Sequence, residues 1–175
     1  RSGAGNVSLS EKLKEQVHTL TRGNDPFLVY LAQHCTSLEP PLSFYEDSVV
    51  EKDGQYGDTL DLEGKGLVFF VDFSRVMSLK YGISKTNTLE RLRSLGEKQH
   101  VPGDLGSELV EAYELLMHIR LVHQLHLIED GQEPNNKVRP GDLSGLEKQT
   151  LKEVFEVIRR LQDFTRYEFG LWDKR

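Results

Sequence analysis

Cysteine is nearly missing from this chain: among 175 residues only Cys35 is present. One thiol excludes an internal disulfide framework and a zinc site built from several cysteines, and it fits a reducing, cytoplasmic setting. Long apolar runs are also missing. None reaches the roughly 18 residues that a bilayer span requires, so no membrane partner is expected. The opening residues 1–7 are polar and glycine-rich, with no apolar segment of the signal-peptide kind, and read as a linker outside the fold. Basic charge is in deficit, with 22 Lys and Arg against 28 Asp and Glu. A net charge of -6 argues against a nucleic-acid partner, which calls for a basic face.

Catalytic signatures are absent as well. There is no G-x-x-x-x-G-K-[ST] phosphate loop, no G-x-G-x-x-G turn, no H-E-x-x-H pair and no G-x-S-x-G element. Gly64-Lys65-Gly66 is too short to cradle a phosphate and is expected to shape the start of a helix. His123 and His126 lie three apart, but no Glu-x-x-His partner accompanies them, so no metal site is expected. A free-standing enzyme would need a nucleophile or a metal set that these residues do not supply.

What is present is helical punctuation. Ser8 with Glu11 reads as a capping box, and Leu9, Leu13, Val17 and Leu20 supply an apolar face as far as Gly23. Asp25-Pro26 reads as a cap with proline at the first helical position, opening a helix to about Leu38. Pro40-Pro41 then breaks the chain, and 42–64 reads as an irregular loop or short hairpin. Helix returns from about Gly66 to Gly82. A short helix follows, capped by Asn87 with Glu90. Pro102-Gly103 interrupts, and Asp104 is expected to cap a long helix from Leu105 to Ile128. Residues 131–141 form a loop by composition. Ser144 with Glu147 opens the last helix, whose inner side is expected to carry Leu146, Leu151, Val154, Phe155, Ile158 and Leu161. These signals predict an all-α fold: one antiparallel bundle of five or six helices over 8–169, with 170–175 as a tail.

Polar residues in apolar settings mark the candidate sites. Leu105 to Ile128 is apolar almost all round, with Glu111, Glu114 and His118 as a narrow polar stripe. Arg120, His123 and Gln124 fall on the apolar side, where they must be paired or face a wet cavity. Asp72 interrupts the run LVFFVDF, with Arg75 three residues on. That pair reads as a buried ion pair or as part of a ligand site. With helix 66–82 beside helix 105–128, Asp72, Arg75, Arg120, His123 and Gln124 are expected to form one polar cluster able to accept a phosphate or carboxylate. Asn87 and Arg91 are a second candidate pair, with a helix cap and a solvated arginine as the plainer reading.

Five stretches occur together in a recognisable order: TLDLEGKGL at 59–67, VDFSRVMSLKYGI at 71–83, TNTLERL at 86–92, YELLMHIRLVHQ at 113–124 and LSGLEKQTLKEVFEVIRRLQ at 143–162. In this the chain resembles the C-terminal, substrate-binding-type domain of bacterial nucleotidyltransferases that carry CBS domains and are similar to protein-PII uridylyltransferases. The resemblance covers about Leu9 to Phe169. It implies an accessory domain in a signal-transduction polypeptide, with the catalytic and CBS domains of the same chain as partners and a nucleotide or protein acceptor as substrate. Magnesium and a nucleoside triphosphate are implied for the catalytic domain, and no cofactor is implied for this one. The family's Gly-Ser turn and paired aspartates are not in these residues. The competing expectation is a structural or protein-interaction helical module with no ligand of its own.

Overall fold

The computed structural model describes residues 7–40, 51–53 and 57–171. Among them six α-helices build a bundle: α1 Val7–Thr21, α2 Asp25–Cys35, α3 Val68–Tyr81, α4 Thr88–Glu97, α5 Gly103–Glu129 and α6 Gly145–Glu168. The expected hairpin is present as β1 Glu51–Asp53 paired antiparallel with β2 Gly57–Asp61, Lys52 opposite Asp58. A short β3, Lys137–Val138, pairs with the other edge of β2, Leu60 opposite Val138. Of the linker expected at 1–7, Val7 belongs to α1, and residues 1–6, 41–50, 54–56 and 172–175 lie outside the described residues.

Local chemistry explains most boundaries. Gly82 ends α3 in the left-handed region, at φ 67°, which glycine adopts without steric cost. Asn87 Oδ1 accepts from Glu90 N at 3.2 Å and starts α4. The Ser144–Glu147 box closes in both directions at the start of α6 and draws the Glu147 carboxyl below its ordinary range. Two expected caps differ. Asn24, not Asp25, caps α2 by accepting from Phe27 N, which places Asp25 inside the first turn. α5 begins at Gly103 behind Pro102 with no side-chain cap. Asp104 is instead turned to Arg160 of α6, 2.9 Å away. α2 also stops at Cys35, three residues short of the expected Leu38.

The core is built from α3, α4, α5 and α6. Phe69, Phe70, Phe73 and Met77 of α3 meet Leu92 and Leu95 of α4, Leu109 and Leu116 of α5, and Leu151, Phe155, Ile158 and Leu161 of α6. Burying side chains of this size stabilises by about 1.5–3 kcal/mol each relative to exposure. Phe70 stands edge-on to Tyr113 at 5.8 Å, and Phe73 to Phe164 at 6.3 Å. Arg160, late in α6, pairs with Asp104 and Glu108 at the start of α5, while Glu147 at the start of α6 feels His126 at the end of α5. The two long helices therefore run antiparallel. Five residues expected on inner or apolar faces are not in it. Leu146 is 77% exposed, because it lies in the first turn of α6, ahead of the buried stripe. Leu9, Leu13, Val17 and Leu20 of α1 are also exposed, because α1 lies at the margin, with sparse contact to α2 and α3.

Two glycine sites allow helices to approach closely. A Cβ on Gly106 would sit 3.0 Å from Gly96 Cα, so α4 and α5 cross there backbone to backbone. Gly66 belongs to the single wide turn 63–67 that leads into α3, closed by Leu67 N to Leu62 O at 3.0 Å. A Cβ on Gly66 would lie 2.7 Å from Leu116 Cδ2, and Leu116 is wholly buried. Gly66→Ala should therefore destabilise the bundle by about 1–3 kcal/mol through overpacking. Denaturant unfolding measures this directly. Unchanged stability would mean that Leu116 does not pin the wide turn.

Candidate functional site

The five-residue cluster expected from the sequence separates into two sets. α3 and α5 meet through core rings such as Phe70 and Tyr113, not through their charged edges. Among the described residues no hydrogen bond or ion pair joins Asp72 or Arg75 to Arg120, His123 or Gln124.

The α5 set closes on the loop that follows it. Arg120 Nε and Gln124 Nε2 both donate to Asn136 Oδ1, at 2.7 and 2.8 Å. Asn136 Nδ2 in turn donates to Glu63 Oε2, and Arg120 Nη2 stands 3.7 Å from the same oxygen. Asn136 O also accepts from Leu62 N at 2.9 Å. One asparagine thus gathers α5, the wide turn and the 131–139 loop. Asn136, expected to act as a turn residue, is the hub of this set. His123 does not join it, and its buried Nε2 has no hydrogen-bond partner among the described residues.

The α3 set faces a different space. Asp72 and Arg75 form an ion pair at 3.4 Å, with Arg75 largely exposed. They line a cavity of about 590 Å³ between α1, α2, α3 and the 83–91 segment, a volume ordinary for a small-molecule site. Arg91, expected to be solvated, is half-buried in this wall and donates through Nε to Lys85 O at 2.7 Å. Burial, and then the like charge of Arg75, lower the Arg91 guanidinium below its ordinary range. Asn87 stays at the α4 cap and does not line this wall. Lys14 and Lys85 add positive charge, and Asp72 is the one carboxylate in the lining. Leu13, Val17, Leu31, Val76, Leu79 and Ile83 form the apolar surface. Two buried polar atoms in the lining residues, Ser78 Oγ and His18 Nδ1, have no partner among the described residues. An adjoining hollow shares Lys14, His18, Leu79 and Ser84, and its acids Glu11 and Glu15 are balanced by Lys14 and Arg22.

Cys35 also borders the cavity. Burial, followed by the charge of Asp72, pushes its thiol up from 9.0 to about 12. A thiol raised in this way is held in its protonated form at neutral pH. No group of three or more His, Cys, Asp or Glu among the described residues could hold a metal ion. No described helix is long and apolar enough to cross a membrane.

A further polar cluster gave no signal in the sequence, because Glu168 lies far along the chain from Lys80, Tyr81 and His100. Lys80 Nζ reaches Glu168 Oε1 at 2.7 Å, Tyr81 OH donates to the same oxygen, and His100 stacks on Tyr81 at 3.9 Å. Burial opposes the charged form of Glu168, but the hydrogen bonds from Lys80 and Tyr81 outweigh it and hold the carboxyl below its ordinary 4.5. A depressed carboxylate contributes stability in full above the unfolded value and loses it as pH falls through the folded one. Melting temperature should therefore drop as pH is lowered beneath 4.5, and Glu168→Gln should flatten that part of the profile. An identical profile in the variant would remove Glu168 from the acid response.

Residues 25–169 match the family described as "Putative nucleotidyltransferase substrate binding domain", a span that takes in α2 to α6 and leaves α1 outside. Neither a curated protein nor a solved structure matches the chain. With most of its length matched, and in accord with the motifs between 59 and 162, the chain belongs to this nucleotidyltransferase substrate binding domain family.

Proposed function

We propose that this domain holds substrate for a nucleotidyltransferase catalytic domain in the same polypeptide, and that the cavity under α1 is where it does so. The carrying observation is the convergence of Arg75 and Arg91 on that cavity, with a single carboxylate to offset them. Like charges that face one space are unfavourable unless an anion joins them, and arginine forks suit phosphate and carboxylate groups. No group of three or more His, Cys, Asp or Glu among the described residues could hold a metal ion, and the share assigned to this domain is binding and orientation. The motif order supports the finer reading. In it the whole polypeptide is bacterial and cytoplasmic, CBS domains adjoin the catalytic domain, and magnesium and a nucleoside triphosphate are bound by the catalytic part. A nucleotide or an acceptor held here would then be presented to that centre in response to a CBS-borne signal.

Steady-state kinetics of the full polypeptide test this. Arg91→Gln should raise KM at least roughly tenfold with a smaller effect on kcat, as expected when a charge-assisted contact to bound substrate is lost. Unchanged KM, with melting temperature preserved, would remove the cavity from substrate binding.

The second reading, a structural module, is favoured by one specific observation: the network around Asn136 satisfies itself. Arg120→Ala should leave KM unchanged and destabilise the bundle by about 1–3 kcal/mol, because Asn136 Oδ1 and Glu63 lose a donor. A KM effect at Arg120 without a stability effect would reverse these assignments.

A further inference from the structure

We infer that the ligand of the cavity under α1 is a phosphate monoester with a compact apolar body, gripped directly by Arg75 and Arg91 without a bridging metal ion. This rests on the reading of that cavity as the substrate site and names the class of substrate. Three observations carry it.

The first is charge. With Lys14 offset by the acids of the adjoining hollow, Arg75, Lys85 and Arg91 face Asp72, which leaves two positive charges uncompensated in a chain whose net charge is -6. A phosphate dianion offsets more of that excess than a single carboxylate does, and it presents oxygens to more than one guanidinium. The second is the missing metal donors. A magnesium–triphosphate group is held by protein carboxylates, and Asp72, the one carboxylate in the wall, is engaged by Arg75 at 3.4 Å. The third is the pair of unpartnered polar atoms. Ser78 is 2% exposed, and neither its Oγ nor His18 Nδ1 has a hydrogen-bond partner among the described residues. Both residues line the same cavity. Groups of this kind call for a partner, and an ester or phosphate oxygen supplies one. Leu31, Val76, Leu79 and Ile83 offer the organic part an apolar seat.

Calorimetric titration of the 175-residue chain in EDTA tests the inference, with phenyl phosphate, inorganic phosphate, benzoate and phenol as probes. Phenyl phosphate should bind more tightly than each of the others, and added magnesium should not strengthen it. Arg75→Gln and Arg91→Gln should each weaken phenyl phosphate at least roughly tenfold, the worth of one charge-assisted hydrogen bond, and Arg91→Lys should restore part of the loss. Arg75 is exposed, so its variant should keep the parent melting temperature and remain interpretable if Arg91→Gln unfolds. The inference is overturned by benzoate binding as tightly as phenyl phosphate, by a requirement for magnesium, by binding indifferent to both arginines, or by no phenyl phosphate binding. If phenyl phosphate binds as described while turnover of the full polypeptide ignores Arg75→Gln, the ligand class stands and the substrate role falls. If turnover responds and phenyl phosphate does not bind, the substrate role stands and the ligand class falls.

Discussion

Helix α3 is apolar on most of its circumference but carries charge at positions 72 and 75, and this governs how the bundle is arranged. Phe69, Phe70, Phe73 and Met77 must be covered, and α4, α5 and α6 cover them. Asp72 and Arg75 cannot enter that core without a desolvation cost of several kcal/mol per charge. Their edge is therefore left to α1 and α2: Ala32 and Cys35 of α2 close a small second core on Val76, and a cavity remains beside it. The hollow follows from the placement of two charges on an otherwise buried helix. Its chemistry follows from the neighbours on the 83–91 segment, Lys85 and Arg91.

The α5 trio illustrates the opposite solution to the same problem. Arg120 and Gln124 are also polar residues on an apolar side, but Asn136 meets both within 2.8 Å, and Glu63 completes the set. A network of this kind fixes the return of the 131–139 loop over α5 and engages Arg120 and Gln124 with protein partners. Arg120 and Arg91 thus differ in one respect that matters for function: Arg120 is countered by neutral and acidic partners, and Arg91 faces another arginine.

Much of this was legible from the chain. Glycine and asparagine at 82 and 87 marked helix boundaries, because a left-handed residue and a side-chain cap are local chemistry. The Ser144–Glu147 box was legible for the same reason. Asp72, Arg75 and Arg91 were each singled out as polar residues in telling positions. Their grouping was not legible, since periodicity places a residue on a face of its own helix and says nothing of which helix lies opposite. Asn136 as a hub and the Lys80–Tyr81–Glu168 clasp were hidden for that reason too, being formed across separations of 12 to 88 residues. The apolar stripe of α1 misled in a different way. Amphipathic spacing announces a helix, but burial depends on how much of the bundle remains for it to cover.

The central claim is that the cavity under α1, not the network on α5, receives the ligand. Hydrogen–deuterium exchange of the 175-residue chain, with and without saturating phenyl phosphate, places the bound ligand on one or the other. The account predicts slowed exchange in α1 and across residues 75–91, with 117–136 unchanged. Slowed exchange confined to 117–136 would contradict it.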